Sequence, residues 1–171
     1  MAKFNTFKFK VGKHYSKPSV FEFIGGDSHY VSWKFIDRPQ QVKRHTNKLI
    51  GVGYFPHHMW KSWRLGYEKY KGKMIYSIFI HVNGKFQIHP IPDLTGYQGA
   101  IKIDVKNDLI TVTDERYNSE KAGGVLLEVP FKTPKPNFGY MLKPYHGGKE
   151  AAMNDYSVNV FIAKYHVKKN K

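Results

Sequence analysis

The stretch 58–89 decides the fold, and it reads HMWKSWRLGYEKYKGKMIYSIFIHVNGKFQIH. Asn83-Gly84 stands between two alternating segments, and this pair is the strongest short-range signal of a β-hairpin. Because side chains alternate along a strand, the segment before the turn has two faces. One face carries Met74, Tyr76, Ile78, Ile80 and Val82, and the other carries Ile75, Ser77, Phe79 and His81. After the turn Phe86 and Ile88 share a face, and Pro90 and Pro92 are expected to end the strand.

Short alternating segments separated by turn residues continue along the rest of the chain, without helical periodicity. Strands are predicted over 4–11, 20–24, 30–36, 48–54, 63–67, 73–82, 85–89, 100–105, 109–113, 125–131 and 155–167, and a loop over 133–139. We expect eight to ten of these eleven segments to form strands. Such a number of strands without crossover helices favours an all-β, two-sheet antiparallel sandwich or jelly roll, with a closed barrel as the alternative. We expect a single domain over 1–171 that ends in a solvated basic tail at 168–171.

Charge and composition limit the function classes. The chain has 171 residues, with 28 Lys or Arg against 13 Asp or Glu, a net charge of +15 and no Cys. The lack of Cys excludes disulfides, zinc ribbons and thiol catalysis. Such a charge attracts nucleic acid, acidic polysaccharide, anionic membrane or an acidic protein, although a Lys-rich genome gives the same balance. We expect neither a secretory signal nor a membrane span, because no apolar run is long enough.

Two groups of residues resemble a known family. The first is Trp63-Arg64-Leu65-Gly66-Tyr67 followed by His81-Val82-Asn83-Gly84-Lys85. The second is Pro144-Tyr145-His146-Gly147-Gly148 followed by an alternating strand. They resemble small phage-encoded jelly-roll proteins of concanavalin A-like type, although His146 stands where that family usually has Phe. The resemblance implies a virion decoration or fibre component, or a glycan-binding module. The candidate contact residues are Trp60, Trp63, Arg64, Tyr67, Tyr145 and His146.

A second resemblance is to jelly rolls of the alginate-lyase type. Those enzymes carry an Arg-rich strand, a Gln-Ile-His strand and a Tyr-x-Lys motif, and the matching residues here are Arg64, Gln87, His89, Tyr140 and Lys143. The resemblance implies β-elimination, in which Gln87 or a basic residue neutralises a uronate carboxylate and His89 or a Tyr removes the C5 proton. The Arg-x-Glu-x-Arg core of that group is absent, since 60–64 reads WKSWR.

The segment 34–73 is basic and also aromatic. It holds ten Lys or Arg, and its acids are Asp37 and Glu68. The rings in or beside it are Trp33, Tyr54, Phe55, Trp60, Trp63, Tyr67 and Tyr70. Positive charge with stacking rings is typical of single-stranded nucleic-acid binders, and the same residue types also form sugar platforms.

Metal sites receive little support from the spacing of possible ligands. His57 and His58 are adjacent and would point to opposite faces of a strand, whereas His81 and His89 flank the hairpin and could approach each other. A weak calcium hypothesis concerns the acids around the second hairpin, Asp104, Asp108, Asp114 and Glu115. We therefore expect no metal and no cofactor.

These observations favour a non-enzymatic binding or structural module, of the phage decoration or fibre type, that contacts a glycan or another virion protein. Homo-oligomers are expected in that setting. Two alternatives stay open, a polysaccharide lyase that acts on an acidic polymer and a single-stranded nucleic-acid-binding protein.

Overall fold

The computed structural model describes residues 5–19, 21–41, 45–117, 119–147 and 150–164. The first six strands are β1 (Asn5–Phe9), β2 (Phe23–Gly25), β3 (Ser28–Phe35), β4 (Asn47–Tyr54), β5 (Lys61–Tyr70) and β6 (Lys73–Val82). The remaining strands are β7 (Lys85–Thr95), β8 (Gln98–Lys106), β9 (Leu109–Asp114), β10 (Val125–Pro130), β11 (Phe138–Leu142) and β12 (Tyr156–Lys164). Within this part of the chain there is no helix long and apolar enough to span a membrane. The predicted basic tail at 168–171 lies outside the described residues.

The strands form two antiparallel six-stranded sheets that pack face to face as a jelly-roll sandwich, as the sequence predicts. The back sheet has the order β1-β12-β3-β8-β9-β10, and the front sheet has the order β2-β11-β4-β5-β6-β7. The inner faces of both sheets supply one apolar core. The predicted alternation of β6 is correct, because Met74, Tyr76, Ile78 and Ile80 lie in this core.

Three details of the strands differ from the prediction. The strand β7 continues through Pro90 and Pro92 to Thr95. It lies at the edge of the front sheet, where a residue without an N–H can be placed without breaking a ladder hydrogen bond. The strand β11 was not predicted at all, and its first two residues fall where a loop was expected. The strand β5 is ten residues long, twice its predicted length.

Buried hydroxyl groups connect the two sheets through the core. Trp33 on β3 donates its Nε1 hydrogen to the hydroxyl of Tyr76 on β6, at 2.8 Å. Tyr76 then donates to the carbonyl of Gly96, at 2.7 Å. The hydroxyls of Tyr67 on β5 and Tyr156 on β12 are 2.6 Å apart. These bonds satisfy polar atoms that would otherwise be costly to bury, so large amphipathic rings can fill the core.

The Trp33–Tyr76 bond gives a direct test of this arrangement. We expect Tyr76→Phe to reduce the free energy of unfolding by about 1–3 kcal/mol, because the buried Trp33 N–H loses its acceptor. The control Tyr117→Phe alters a side chain that is 94% exposed and should stay within about 0.5 kcal/mol of the wild type. Denaturant unfolding measures both, and equal values for the two variants would contradict this role.

Candidate functional site

A groove of about 1080 Å³ lies on the outer face of the front sheet. Strands β4 to β7 form its floor, and the loop after β11 closes one side with Tyr145. The lining residues on which the chemistry depends are Lys48, His58, Arg64, Phe79, His81, Phe86, Ile88 and Tyr145. The residues between them on β5 and β6, such as Trp63 and Ile78, face the core. Strand alternation therefore assigns one face of the sheet to the core and the other to the groove.

Two cross-strand rows organise this outer face. The register pairs Gly51 with Arg64, Arg64 with Phe79, and Phe79 with Ile88. The second row, which crosses all six strands of the sheet, consists of Phe23, Tyr140, Gly53, Ser62, His81 and Phe86. Directly opposed residues in such rows lie about 4.5–5.5 Å apart between Cβ atoms, so each row is a line of neighbouring side chains.

Two glycines on β4 leave room for the side chains of Arg64 and His58. A Cβ at Gly51 would lie 2.1 Å from the carbonyl oxygen of Trp63 and 2.7 Å from Cγ of Arg64. A Cβ at Gly53 would lie 2.8 Å from Cβ of His58. Any other residue at either position would displace a group that forms the groove, so both glycines are requirements of the site.

A β-bulge places Lys48 in the groove. The register of β4 shifts between Lys48 and Ile50, and both Leu49 and Ile50 are buried in the core. Because one residue is added to the strand at this point, Lys48 faces outward instead of inward. Its backbone then exchanges two hydrogen bonds with Tyr145, at 2.9 and 2.8 Å. The bulge therefore fixes a cation and an aromatic ring side by side.

The groove is positively charged at its centre. Burial lowers the pKa of Lys48 to about 8, and the charge of Arg64 adds to this effect. Burial also lowers the pKa of Arg64 to about 10. Among the described residues, none of the ion pairs includes Lys48 or Arg64. Both groups remain cationic at neutral pH, and each makes the charge of the other less favourable.

Three neighbouring polar atoms on this face are buried and have no hydrogen-bond partner within the described part of the chain. They are Nε of Arg64, Oγ of Ser62 and Nδ1 of His81. Ser62 opposes His81 directly, and Arg64 is two residues further along β5. Since buried polar atoms in proteins are nearly always paired, this cluster reduces the stability of the fold on the floor of the groove.

Two histidines in the groove are neutral at pH 7. Burial lowers the pKa of His58 to about 4, and the charge of Arg64 acts in the same direction. Burial and the same guanidinium also lower the pKa of His81. The backbone N–H of His58 donates to the hydroxyl of Tyr140 at 2.9 Å. The expectation that His57 and His58 point apart is wrong, because they lie in a turn and their rings stack at 4.4 Å.

Aromatic rings form the walls around the cations. The rings of Phe79 and Phe86 stack with their centroids 5.2 Å apart and their planes inclined by 10°. Nζ of Lys48 lies 4.7 Å from the centroid of Phe79 and 5.8 Å from that of Tyr145. Tyr145 also packs against Tyr15, at 5.2 Å between centroids. The groove therefore combines apolar ring faces with cations, which suits a ligand that is partly apolar and partly anionic.

The six contact residues predicted from the sequence lie in different environments in the structure. Arg64 and Tyr145 line the groove. Trp60 lies in the turn before β5 and is 44% exposed. The prediction that the remaining three form a contact surface is wrong, because Trp63, Tyr67 and His146 are buried. Trp63 and Tyr67 are separated by an even number of positions on β5, so both side chains point into the core. Nδ1 of His146 forms a hydrogen bond with the hydroxyl of Tyr156 at 2.8 Å.

The residues matched to alginate lyases do not come together. Ile88 faces the groove, so its neighbours Gln87 and His89 lie on the other face of β7, where they bond to each other at 3.2 Å. They are therefore separated from Arg64 by the sheet itself. Tyr140 is on the groove side, two strands from Arg64. Lys143 donates to the hydroxyl of Ser19 at 2.6 Å.

The metal hypotheses also find no geometric basis. His81 pairs with Phe86 and His89 with Ile78, so the two histidines occupy opposite faces of the hairpin. Within the described ranges no group of three His, Asp or Glu is placed to hold an ion. Asp114 instead receives hydrogen bonds from Arg116 and Ser119, at 2.7 and 2.6 Å. Asp114 therefore has a structural role.

Six of the eight named groove residues are not predicted as contact residues from the sequence, namely Lys48, His58, Phe79, His81, Phe86 and Ile88. A signal for two of them was present, because Phe79 and His81 were assigned to the same face of the hairpin. Aligning that face with Arg64 on the preceding strand would have placed them together. The sequence holds no comparable signal for Lys48, since strict alternation with Ile50 and Val52 places it inward.

The fold is similar to several solved structures. A functionally unknown protein from Saccharomyces cerevisiae matches with a TM-score of 0.60 at 12% identity, over 95% of this chain and 88% of that one. A prokaryotic β-1,3-1,4-glucanase from a mouse hindgut metagenome matches with a TM-score of 0.51 at 9% identity, over 95% and 79%. An alginate lyase from Pseudomonas aeruginosa reaches a TM-score of 0.46 at 10% identity, over 81% and 65%. At these identities the likeness shows the fold alone. No family model and no curated protein sequence matches the chain significantly.

Buried histidines should make stability depend on pH. Burial lowers the pKa of His29 and of His146 to about 4, from 6.5 for a free side chain. Between these values the unfolded chain binds more protons than the folded one, so stability is greatest above pH 6.5 and decreases toward pH 4. One such histidine contributes a slope of up to about 1.4 kcal/mol per pH unit.

We expect His29→Leu to flatten this decrease, because its buried ring no longer titrates. The matched control is His89→Leu at the edge of the front sheet, which should retain the wild-type slope. Denaturant unfolding between pH 4 and 7 measures the slope rather than the absolute stability, so a change in packing does not obscure the result. An unchanged slope in the His29→Leu variant would show that protonation of His29 does not cause the loss of stability toward pH 4.

Proposed function

We propose that the groove binds an acidic polysaccharide, with a carboxylate of the polymer at Arg64 and Lys48. The observation that carries this proposal is the pair of cations Arg64 and Lys48, which line the same groove and have no ion pair among the described residues. A planar guanidinium can hold a carboxylate through two parallel hydrogen bonds. A carboxylate bound in this way would replace the hydration that both cations lose through burial, which is the cause of their lowered pKa values.

The walls of the groove support a sugar as the ligand. Phe86, which stacks on the buried Phe79, and Tyr145 offer ring faces to the apolar face of a pyranose. His58 and His81 offer neutral nitrogens to its hydroxyls. A volume of about 1080 Å³ is larger than one sugar needs and is at the upper end of ligand sites. The glucanase of similar fold acts on a polysaccharide, so such a ligand is compatible with this architecture.

A role in a phage virion remains a proposal that rests on the sequence resemblance. In that setting the module would attach a particle to an acidic glycan through the groove. The net charge of +15 would also favour contact with acidic surfaces in general.

Single-stranded nucleic acid is a weaker candidate for the same groove. The hypothesis depends on aromatic side chains interleaved with Lys and Arg over 34–73. Four of these rings, Trp33, Tyr54, Trp63 and Tyr67, are buried in the core and cannot stack with bases. The rings that remain exposed, Phe55, Trp60 and Tyr70, are fewer than the pattern suggests.

A lyase reaction is the second candidate, and His81 is the observation that favours it. β-Elimination needs a neutral base next to the group that binds the carboxylate. His81 is unprotonated at neutral pH and lies on the same face as Arg64, unlike His89. If this activity exists, we expect its base in β6 rather than in the Gln-Ile-His motif of β7.

Replacing Arg64 tests the binding proposal. We expect hexasaccharides of alginate, polygalacturonate or hyaluronan to bind in calorimetry, and Arg64→Met to weaken binding by about 10- to 100-fold. Arg64→Lys should recover part of the loss, because it keeps the charge without the planar fork. The control Lys106→Met removes one positive charge from the back sheet and should change affinity less than about threefold.

The same purified proteins distinguish saccharide binding from the lyase reaction and from nucleic-acid binding. No binding of any acidic hexasaccharide, or equal effects of the Arg64 and Lys106 variants, would overturn the proposal. Release of unsaturated uronate, seen as ultraviolet absorbance and lost in His81→Ala but not in His89→Ala, would establish the lyase. Tighter binding of oligo(dT) than of the hexasaccharides, with a dependence on Arg64, would favour nucleic acid.

A further inference from the structure

A patch of exposed rings lies at the other end of the front sheet. This aromatic patch consists of Phe21, Phe23, Phe55, Phe138 and Tyr140. Its four phenylalanines are between 45% and 67% exposed. Contiguous exposed apolar surface of this kind marks an interaction site more often than isolated exposed residues do.

Three of the rings are nearly parallel. The centroids of Phe23, Phe55 and Phe138 lie 5.5, 6.2 and 6.3 Å apart, and their planes are inclined by only 12–28°. Three nearly equal separations rule out a single column, in which the outer rings would be much further apart than neighbours. The rings therefore form an apolar surface several rings wide, next to the stacked pair of Phe21 and Tyr140.

The aromatic patch and the groove share one face of the sheet. The cross-strand row that begins at Phe23 and Tyr140 continues through Gly53 and Ser62 to His81 and Phe86 in the groove. Tyr140 belongs to both regions, because its ring packs on Phe21 and its hydroxyl accepts from the N–H of His58. Gly53 contributes no side chain between them, and the space above it is taken by His58 and Tyr140, whose side chains connect the two regions.

We propose that the aromatic patch is a second subsite for the same polysaccharide, where sugar rings stack after the acidic residue has bound at Arg64. The inference rests on the proposed function of the groove. From β2 to β5 the row crosses three strand spacings, or about 14 Å, which an oligosaccharide spans and a disaccharide does not. A second copy of the chain is a poorer occupant, because each copy carries a net charge of +15 and the copies repel each other.

The length of the saccharide provides the test. Calorimetry compares a disaccharide and an octasaccharide of whichever polymer, alginate, polygalacturonate or hyaluronan, binds most tightly to the wild type. We expect the octasaccharide to bind at least about tenfold more tightly, because it reaches the aromatic patch. The double variant Phe23→Leu/Phe138→Leu keeps apolar side chains but removes two rings. It should reduce octasaccharide affinity by about 3- to 10-fold and leave disaccharide affinity unchanged.

The control Tyr117→Ala removes an exposed ring outside the patch and should leave both affinities unchanged. Unfolding curves of all variants establish that they are folded. Equal octasaccharide affinity in the wild type and the double variant would overturn the inference while the groove still binds the disaccharide. Conversion of a wild-type dimer into a monomer by the double variant, without a change in octasaccharide affinity, would also overturn it. Failure of every acidic saccharide to bind would instead overturn the proposed function itself.

Discussion

Strand alternation in β5 and β6 is the constraint on which the rest of the molecule depends. Successive residues face either the apolar core or the outer groove, so Trp63 and Arg64 are neighbours in sequence and occupy opposite environments. A shift of the register by one residue would expose Trp63 and bury the guanidinium in the core. The Asn83-Gly84 turn holds β6 against β7 in one register. The packing of the core and the geometry of the groove are consequently fixed by the same hydrogen-bond ladder.

The groove reduces the stability of the fold, and the charged groups that do so also determine which ligands it suits. Lys48 and Arg64 have no ion pair among the described residues, and burial lowers the pKa of both cations. A protein that needed only stability would place a carboxylate between them or move one of them into solvent. An anionic ligand would relieve both the repulsion and the loss of hydration. The aromatic walls add the apolar contact that simple anions do not use, which favours a carboxylated sugar.

The sequence predicts the class of fold well, because alternation and turn residues depend on local chemistry alone. The all-β sandwich and the two faces of β6 follow from this pattern. The strand β11 was missed because Gly139 interrupts its short apolar run and two prolines precede it. Within the site, the sequence predicts Arg64 and Tyr145 as contact residues. It does not predict Lys48, because a bulge turns that side chain from the inner to the outer face of the sheet. The Gln-Ile-His match was misleading for a different reason, because a tripeptide does not specify which face of an edge strand its side chains use.

Pro90 and Pro92 have a further consequence for how this molecule can meet others. Each removes an N–H from β7, the strand that ends the front sheet beside the groove. Pro130 does the same in β10 at the end of the back sheet. An incoming strand therefore finds gaps in the row of donors at β7 and β10, and pairing with another chain at these two edges is discouraged. Crowded copies would therefore pair less readily at the edge beside the groove, which leaves the outer face of the front sheet for recognition.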